Sequence, residues 1–191
     1  MAQAELFDDP PQALPDGLVY REDFIDAAEE ASLLAALATL PLAEARYRGF
    51  TARRRVASYG TQYDFDDLRL HEGLPLPEAL HPLRAKAADW IGADANAFSN
   101  VLVAQYPPGT PLGWHRDVPD FDTVVGVSLG GMARMRLRPY PPMAPKKADV
   151  LSLALAPRSA YVLRGDARWR WQHSIAPTPA LRWSITFRTP R

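Results

Sequence analysis

Beyond Gly92 the sequence breaks into short apolar runs, each too short for a stable helix and each closed by turn-forming residues. Residues 98–106 (FSNVLVAQY), 123–130 (TVVGVSLG), 132–138 (MARMRLR), 149–155 (DVLSLAL), 159–164 (SAYVLR) and 181–188 (LRWSITFR) read as strands. MARMRLR and LRWSITF alternate apolar with polar or basic side chains, the period of a strand whose two faces meet different surroundings. The breaks are PPGTP, GG, PYPPMAP, APRS, GD and PTP. Many short strands with Gly/Pro turns predict a β-sandwich or barrel. Ahead of them, Phe24, Ile25, Leu33, Leu34, Leu37 and Leu40 recur at helical spacing between Asp23 and Leu40, before Pro41. A second helix is predicted from about Pro77 to Ile91, ended by Gly92. Two helices before a run of strands predict an α+β fold with the helices covering one sheet.

The 191 residues suffice for one domain. Residues 1–16 are rich in Pro, Asp and Gln and read as a flexible tail, with the domain over 17–191. No internal repeat or low-complexity segment interrupts it. The start, MAQAELFDDPPQ, is acidic without an apolar stretch, so neither a secretory signal nor a membrane span is expected, and the expected location is cytoplasmic. The chain has no cysteine, which removes disulfides, thiolate metal sites, iron–sulfur clusters and a Cys nucleophile. The net charge of zero conceals a gradient: residues 1–45 carry ten acids and one base, residues 101–191 five acids and thirteen bases. A basic C-terminal half permits a polyanionic partner, and Arg, which supplies 19 of the 22 bases, suits phosphate and carboxylate. Abundant Arg, Ala and Pro also fit GC-rich coding.

Four histidines are present, His71, His81, His115 and His173. His115 and Asp117 lie in GWHRDVP, read as a turn between strands. In extended backbone, residues two apart point to the same side, so both can reach one ion. His173 lies in WQHSI, at or within another strand. Two imidazoles and one carboxylate leave open positions on a metal, the facial arrangement of non-haem Fe(II) oxygenases. Taken alone, the pair reads better as a surface-turn His and Asp, with His173 a packed His beside Trp171. Arg182 and Arg188 stand six apart, on one side of a strand, and two inward Arg need an anion. A dicarboxylate would satisfy both, one fork at each end.

The segments NVLVAQYPPGTPLGWHRD, VVGVSLG, WQHSI and RWSITFR, in that order, resemble the AlkB family of Fe(II)/2-oxoglutarate dioxygenases, and the upstream RRVASYGTQY resembles its Arg…Tyr-Gly segment. The resemblance covers about residues 45–190. It implies a double-stranded β-helix, or jelly roll, with helices against one sheet and a lid over the site. It implies Fe(II) bound by His115, Asp117 and His173, with 2-oxoglutarate and O2 as co-substrates. Arg182 would pair with the far carboxylate of 2-oxoglutarate, helped by the Tyr106 hydroxyl, with Arg188 near the chelating carboxylate and Ser184 in the same pocket. Arg54, Tyr59 and Tyr63 would belong to the lid; for the tyrosines, stacking on a flipped base and ordinary strand packing stand level.

Two positions depart from the pattern. Ala104 stands where many members have an Asn that contacts 2-oxoglutarate. Val118, Pro119 and Asp120 follow His-x-Asp in a shorter loop, so Asp120 is out of register as the acid that reads a damaged base. The expected activity is oxidative demethylation of alkylated nucleic acid. The alternatives are a dioxygenase acting on a protein or small molecule, or a DNA- or clamp-associated binding protein. The last rests on Gln3, Leu6 and Phe7, which resemble a peptide that docks on the bacterial sliding clamp. A cupin-type metal protein without 2-oxoglutarate is disfavoured by Arg182 and Arg188. The chain is expected to be a monomer.

Overall fold

The computed structural model describes residues 13–47, 50–64, 69–142 and 150–191. The tail residues Gln3, Leu6 and Phe7 lie outside them. In chain order the elements are β1 (Leu18–Arg21), α1 (Ala27–Ala38), β2 (Ala43–Tyr47), β3 (Phe50–Asp64), β4 (Arg69–Glu72), α2 (His81–Ile91), β5 (Asn100–Tyr106), β6 (Leu112–His115), β7 (Phe121–Gly130), β8 (Ala133–Pro139), β9 (Leu151–Leu155), β10 (Ala160–Leu163), α3 (Gly165–Trp169), β11 (Trp171–Ile175) and β12 (Arg182–Pro190). The strands form two antiparallel sheets. The major one runs β1-β10-β7-β12-β5-β3-β2, with β4 paired to β3; the minor one runs β6-β11-β8-β9. From β5 onward the chain crosses between sheets at nearly every turn, the jelly-roll path, and the expected fold is confirmed.

The helices cover one face of the major sheet. Val101 and Val103 of β5, Val125, Val127 and Leu129 of β7, and Trp183, Ile185 and Phe187 of β12 share a core with Leu33 and Leu37 of α1 and Leu83 and Ala87 of α2. A second core lies between the sheets, built from Leu18, Val124, Met135, Leu137, Leu155, Leu163 and Ile175. The period of two separates these cores: odd positions of β5, β7 and β12 face the helices, and even positions face the second sheet.

The first helix starts later than its apolar spacing predicts. Asp26 caps it, accepting from the backbone of Ala28 and Glu29 at 2.8 Å, while the Glu29 carboxylate accepts from the Asp26 backbone N–H. Phe24 and Ile25 precede it, yet are 3% and 1% exposed, because their backbone N–H groups donate to the Arg158 carbonyl and turn both side chains into the core. The second helix is preceded by a 3-10 turn at Glu78–Leu80 and ends, as expected, at Gly92, whose φ of 70° is left-handed. Strands β1 to β4 are absent from the sequence-based expectation. GWHRDVP is not simply a turn: His115 closes β6. Ahead of β1, Ala167 donates to the Asp16 carbonyl at 2.8 Å and Pro15 is buried.

Tyr161 of β10 pairs with Gly126 of β7, and a Cβ at position 126 would meet the Tyr161 ring. Glycine there is space left for an aromatic neighbour. Gly126→Ala is therefore expected to cost about 1–3 kcal/mol by overpacking, read by urea denaturation. An unchanged midpoint would show that the ring moves aside freely.

Candidate metal centre and its cleft

Where the second core stops, the sheets enclose a cleft of about 1120 Å³. Its walls come from the even positions: Asn100, Leu102, Ala104 and Tyr106 of β5, and Arg182, Ser184, Thr186 and Arg188 of β12. From β3 it takes Arg54, Val56 and Ser58; the minor sheet and the following loop add Trp114, His115, Asp117 and His173.

His115 and His173 are direct partners across the β6–β11 pair, with ring centroids 4.2 Å apart. Asp117 follows in the loop, its Oδ2 3.6 Å from His173 Nε2. One ligand atom from each of the three residues lies within 4.8 Å of the others. His115 Nδ1 lies 2.9 Å from the Gly113 carbonyl, which can only accept, so Nδ1 carries the proton and Nε2 keeps its lone pair for a metal. Nothing in the sequence pattern points to this partner.

Asp117 is held from behind. Arg188 donates to its Oδ1 through Nε at 2.8 Å and forms an ion pair with the same oxygen through Nη2 at 2.7 Å, leaving Oδ2 toward His173. The remaining Arg188 nitrogen, Nη1, donates to Asn100 Oδ1 at 2.8 Å, and Asn100 Nδ2 donates to Ser58 Oγ and the Thr61 carbonyl. Arg168, 3% exposed, donates through Nη2 to the Val118 and Phe121 carbonyls, both at 2.7 Å, and so ties down the loop after Asp117.

Burial alone would raise the Asp117 carboxyl, but its positive surroundings, led by the Arg188 guanidinium, outweigh it and hold the group well below the usual carboxylate range. Burial, then the neighbouring His115, pushes His173 down to about 3, and burial also lowers His115. The triad is thus a carboxylate with two neutral imidazoles, the protonation state that a divalent cation requires. Nitrogen and oxygen donors without thiolate suit Fe(II).

Arg182 lies deeper, 1% exposed. Its Nε donates to Ser128 Oγ at 3.0 Å, its guanidinium sits 4.9 Å from the Tyr106 ring centroid, and its Nη1 is buried with no hydrogen-bond partner. A buried guanidinium with an unused donor is strongly unfavourable without an anion. A carboxylate there would complete it, so this end of the cleft fits 2-oxoglutarate. Tyr161, its hydroxyl pushed up to about 12 by burial, adds a neutral phenol to the wall.

The other expected residues divide. Ser184 lies in the cleft wall, opposite Ala104 and Ser128 in neighbouring strands. Arg54 also lines it, with a buried Nε that has no partner. Tyr59 reaches the wall, but its ring is 3% exposed in the helix-side core, because it occupies an odd position opposite Val101. Tyr63 pairs with Leu70, and its side chain lies outside the described residues. Asp120 sits in a turn and does not line the cleft; its carbonyl accepts from the Arg191 backbone. Asn100, Tyr161, Arg168 and Ser128 join the site without having been expected from the sequence. Only Asn100 carries a signal there, a polar residue at an even position of β5.

Arg188→Leu should destabilise the metal-free protein by about 3–5 kcal/mol, because it strands a buried carboxylate. Adding Asp117→Asn should recover part of that loss, and urea melts of the two single variants and the double variant would measure the coupling. Additive effects would show that the pair is not coupled.

Comparison with known proteins places these features. The family model described as the 2OG-Fe(II) oxygenase superfamily matches residues 17–188. The tRNA (carboxymethyluridine(34)-5-O)-methyltransferase ALKBH8 of Mus musculus is 25% identical over 172 residues, covering 87% of this chain and 25% of that protein. The alkylated DNA repair protein ALKBH8 homolog of Arabidopsis thaliana is 30% identical over 181 residues, covering 83% of this chain and 50% of that protein. The chain thus spans a quarter to a half of the length of these relatives. Two solved structures share the fold. That of OsALKBH1 has a TM-score of 0.74 at 16% identity, covering 93% of this chain and 100% of that one. A 2OG-Fe(II) oxygenase family oxidoreductase from Burkholderia pseudomallei has a TM-score of 0.62 at 20% identity, covering 91% and 85%. Among the described residues no helix is long and apolar enough to cross a membrane. With its fold, its His-Asp-His cluster and the family match in agreement, the chain belongs to the 2OG-Fe(II) oxygenase superfamily, whose members use Fe(II), 2-oxoglutarate and O2, and it is similar to AlkB homologues.

Proposed function

We propose that this enzyme oxidatively demethylates alkylated nucleic acid, with Fe(II) held by His115, Asp117 and His173. The observation that carries the site assignment is the pairing of that cluster with Arg182, whose unused Nη1 lies deeper in the same cleft. When bound, Fe(II) with 2-oxoglutarate and O2 supplies the oxidising power to hydroxylate a C–H bond, and a hydroxylated N-methyl group breaks down to formaldehyde and the free amine. The protein's part is positional. Arg182, with Tyr106 and Ser184 beside it, takes the far carboxylate, and Ala104 leaves room where a longer side chain would donate. Arg188 keeps the Asp117 carboxylate charged and oriented, while the Gly113 carbonyl sets the His115 tautomer.

Three features support nucleic acid as substrate. The cleft is lined by Arg54, Arg116 and Trp114, cations and a ring that suit phosphate and base. The C-terminal half is basic. The names of two relatives refer to tRNA and to alkylated DNA. In this reading β2 and β3, which bring Arg54, form the lid over the substrate. One observation favours a protein or small-molecule substrate instead: Asp120, the nearest acid after the triad, does not reach the cleft.

Anaerobic addition of Fe(II) and 2-oxoglutarate should produce a visible charge-transfer band in the wild type and in His71→Ala, and none in His115→Ala. A wild type without the band would overturn the site assignment. Arg182→Leu should raise KM for 2-oxoglutarate roughly 10–150-fold, the loss of a charged hydrogen bond. N-methylated single-stranded oligonucleotides should yield succinate and formaldehyde. If 2-oxoglutarate is consumed and no methylated base in single or double strands yields formaldehyde, the substrate is of the second kind.

A further inference from the structure

The minor sheet has an outer face that the site does not use. Its four strands, β6, β8, β9 and β11, contain no Asp or Glu, and β8 contributes Arg134, Arg136 and Arg138 at alternate positions. The inward residues Ala133, Met135 and Leu137 are buried, so the three Arg point outward. Each is oriented by a neutral oxygen. Arg134 Nη1 donates to Ser152 Oγ at 3.4 Å, Arg136 Nε to Ser174 Oγ at 3.1 Å, and Arg138 Nε to Gln172 Oε1 at 2.9 Å. Among the described residues none of the three pairs with a carboxylate.

The row leads to the cleft. The Arg136 and Arg138 guanidinium groups lie 5.3 and 4.4 Å from the Trp114 ring centroid, and Trp114 is itself part of the cleft wall, one residue before His115. Arg116 adds a further cation, 3.7 Å from the ring centroid of Tyr140, which is 39% exposed. Alternate strand residues repeat at roughly 6.7 Å, of the same order as successive phosphates along an extended strand. Guanidinium forks without acidic competitors recognise phosphate.

We propose that this face binds the phosphate backbone of a single-stranded nucleic acid and leads it over Trp114 to the cleft. Charge complementarity selects a polyanion. A single strand fits better than a duplex, since a base entering the cleft must leave its stack and a single strand needs no unpairing. The single-strand preference and the placement at the cleft rest on the nucleic-acid reading above; the polyanion-binding surface itself does not.

The test is fluorescence anisotropy with a labelled, unmethylated 20-nucleotide single-stranded DNA across a salt series. The proteins are the full chain, the triple variant Arg134→Gln/Arg136→Gln/Arg138→Gln, and the control Arg21→Gln/Arg164→Gln, which removes exposed charge elsewhere. The triple variant should bind at least about tenfold more weakly. Its salt slope should fall by roughly 2, at about 0.7 for each phosphate that is no longer neutralised. The control should change little, and the Fe(II)/2-oxoglutarate band should remain in both variants as a sign of intact folding. Unchanged binding in the triple variant would overturn the proposal, as would an equal loss per charge in the control. Competition by poly-glutamate at equal charge as effective as that by unlabelled DNA would assign the face to acidic protein instead. Binding abolished in the triple variant, with no formaldehyde from any methylated oligonucleotide, would uphold this surface while removing demethylation.

Discussion

Residues 182–187 of β12 are buried on both sides, so each must be satisfied inside the protein. Trp183, Ile185 and Phe187 do so by apolar contact under the helices. Arg182, Ser184, Thr186 and, at the rim, Arg188 face the inter-sheet cleft and need polar partners. Leaving a charge without one costs several kcal/mol. Arg188 finds Asp117 and Asn100, whereas Arg182 finds Ser128 and keeps a donor unused. The rest of the site follows from these needs. One guanidinium is consumed by the protein and fixes a carboxylate ligand; the other stays incomplete and defines where an anion belongs.

The electrostatics are arranged before any metal arrives. The Arg188 hydrogen bond and ion pair to Asp117 both fall on Oδ1, so its charge is stabilised without covering Oδ2, the oxygen that faces His173. Arg168 grips two carbonyls of the next loop and restricts where the Asp117 backbone can go. The site is preorganised by hydrogen bonds from four strands and one short helix, so a cation need not reorganise it on entry.

The metal ligands and the two arginines were legible because their residue types are rare inside a sheet and their spacing obeys a period of two. The jelly-roll core was legible for the same reason, since short alternating runs between Gly/Pro breaks admit few folds. The missed features share a different cause. Strands β1 to β4 lie toward the margins of the major sheet, where pairing with a neighbour, rather than a strong apolar period, makes the strand. The delayed start of α1 was decided by the Asp26 and Glu29 side chains, which outweighed the apolar spacing of Phe24 and Ile25. Tyr59 was undecided on sequence because its side depends on register with β5, a non-local property. Arg168 and Ser128 act through partners far away along the chain, Val118 and Phe121 for the one and Arg182 for the other, which no local pattern reports.

The strand β11 is five residues long, and its two faces carry different duties. His173 points inward at the metal site, while Gln172 and Ser174 point outward and orient Arg138 and Arg136. A single inserted or deleted residue at the start of that strand would turn the histidine to solvent and both Arg supports to the interior at once. A length change here would therefore disturb the metal site and the outer face together. Substitution at Gln172 remains open, and with it a way to alter the outer face while the iron-binding face stays as it is.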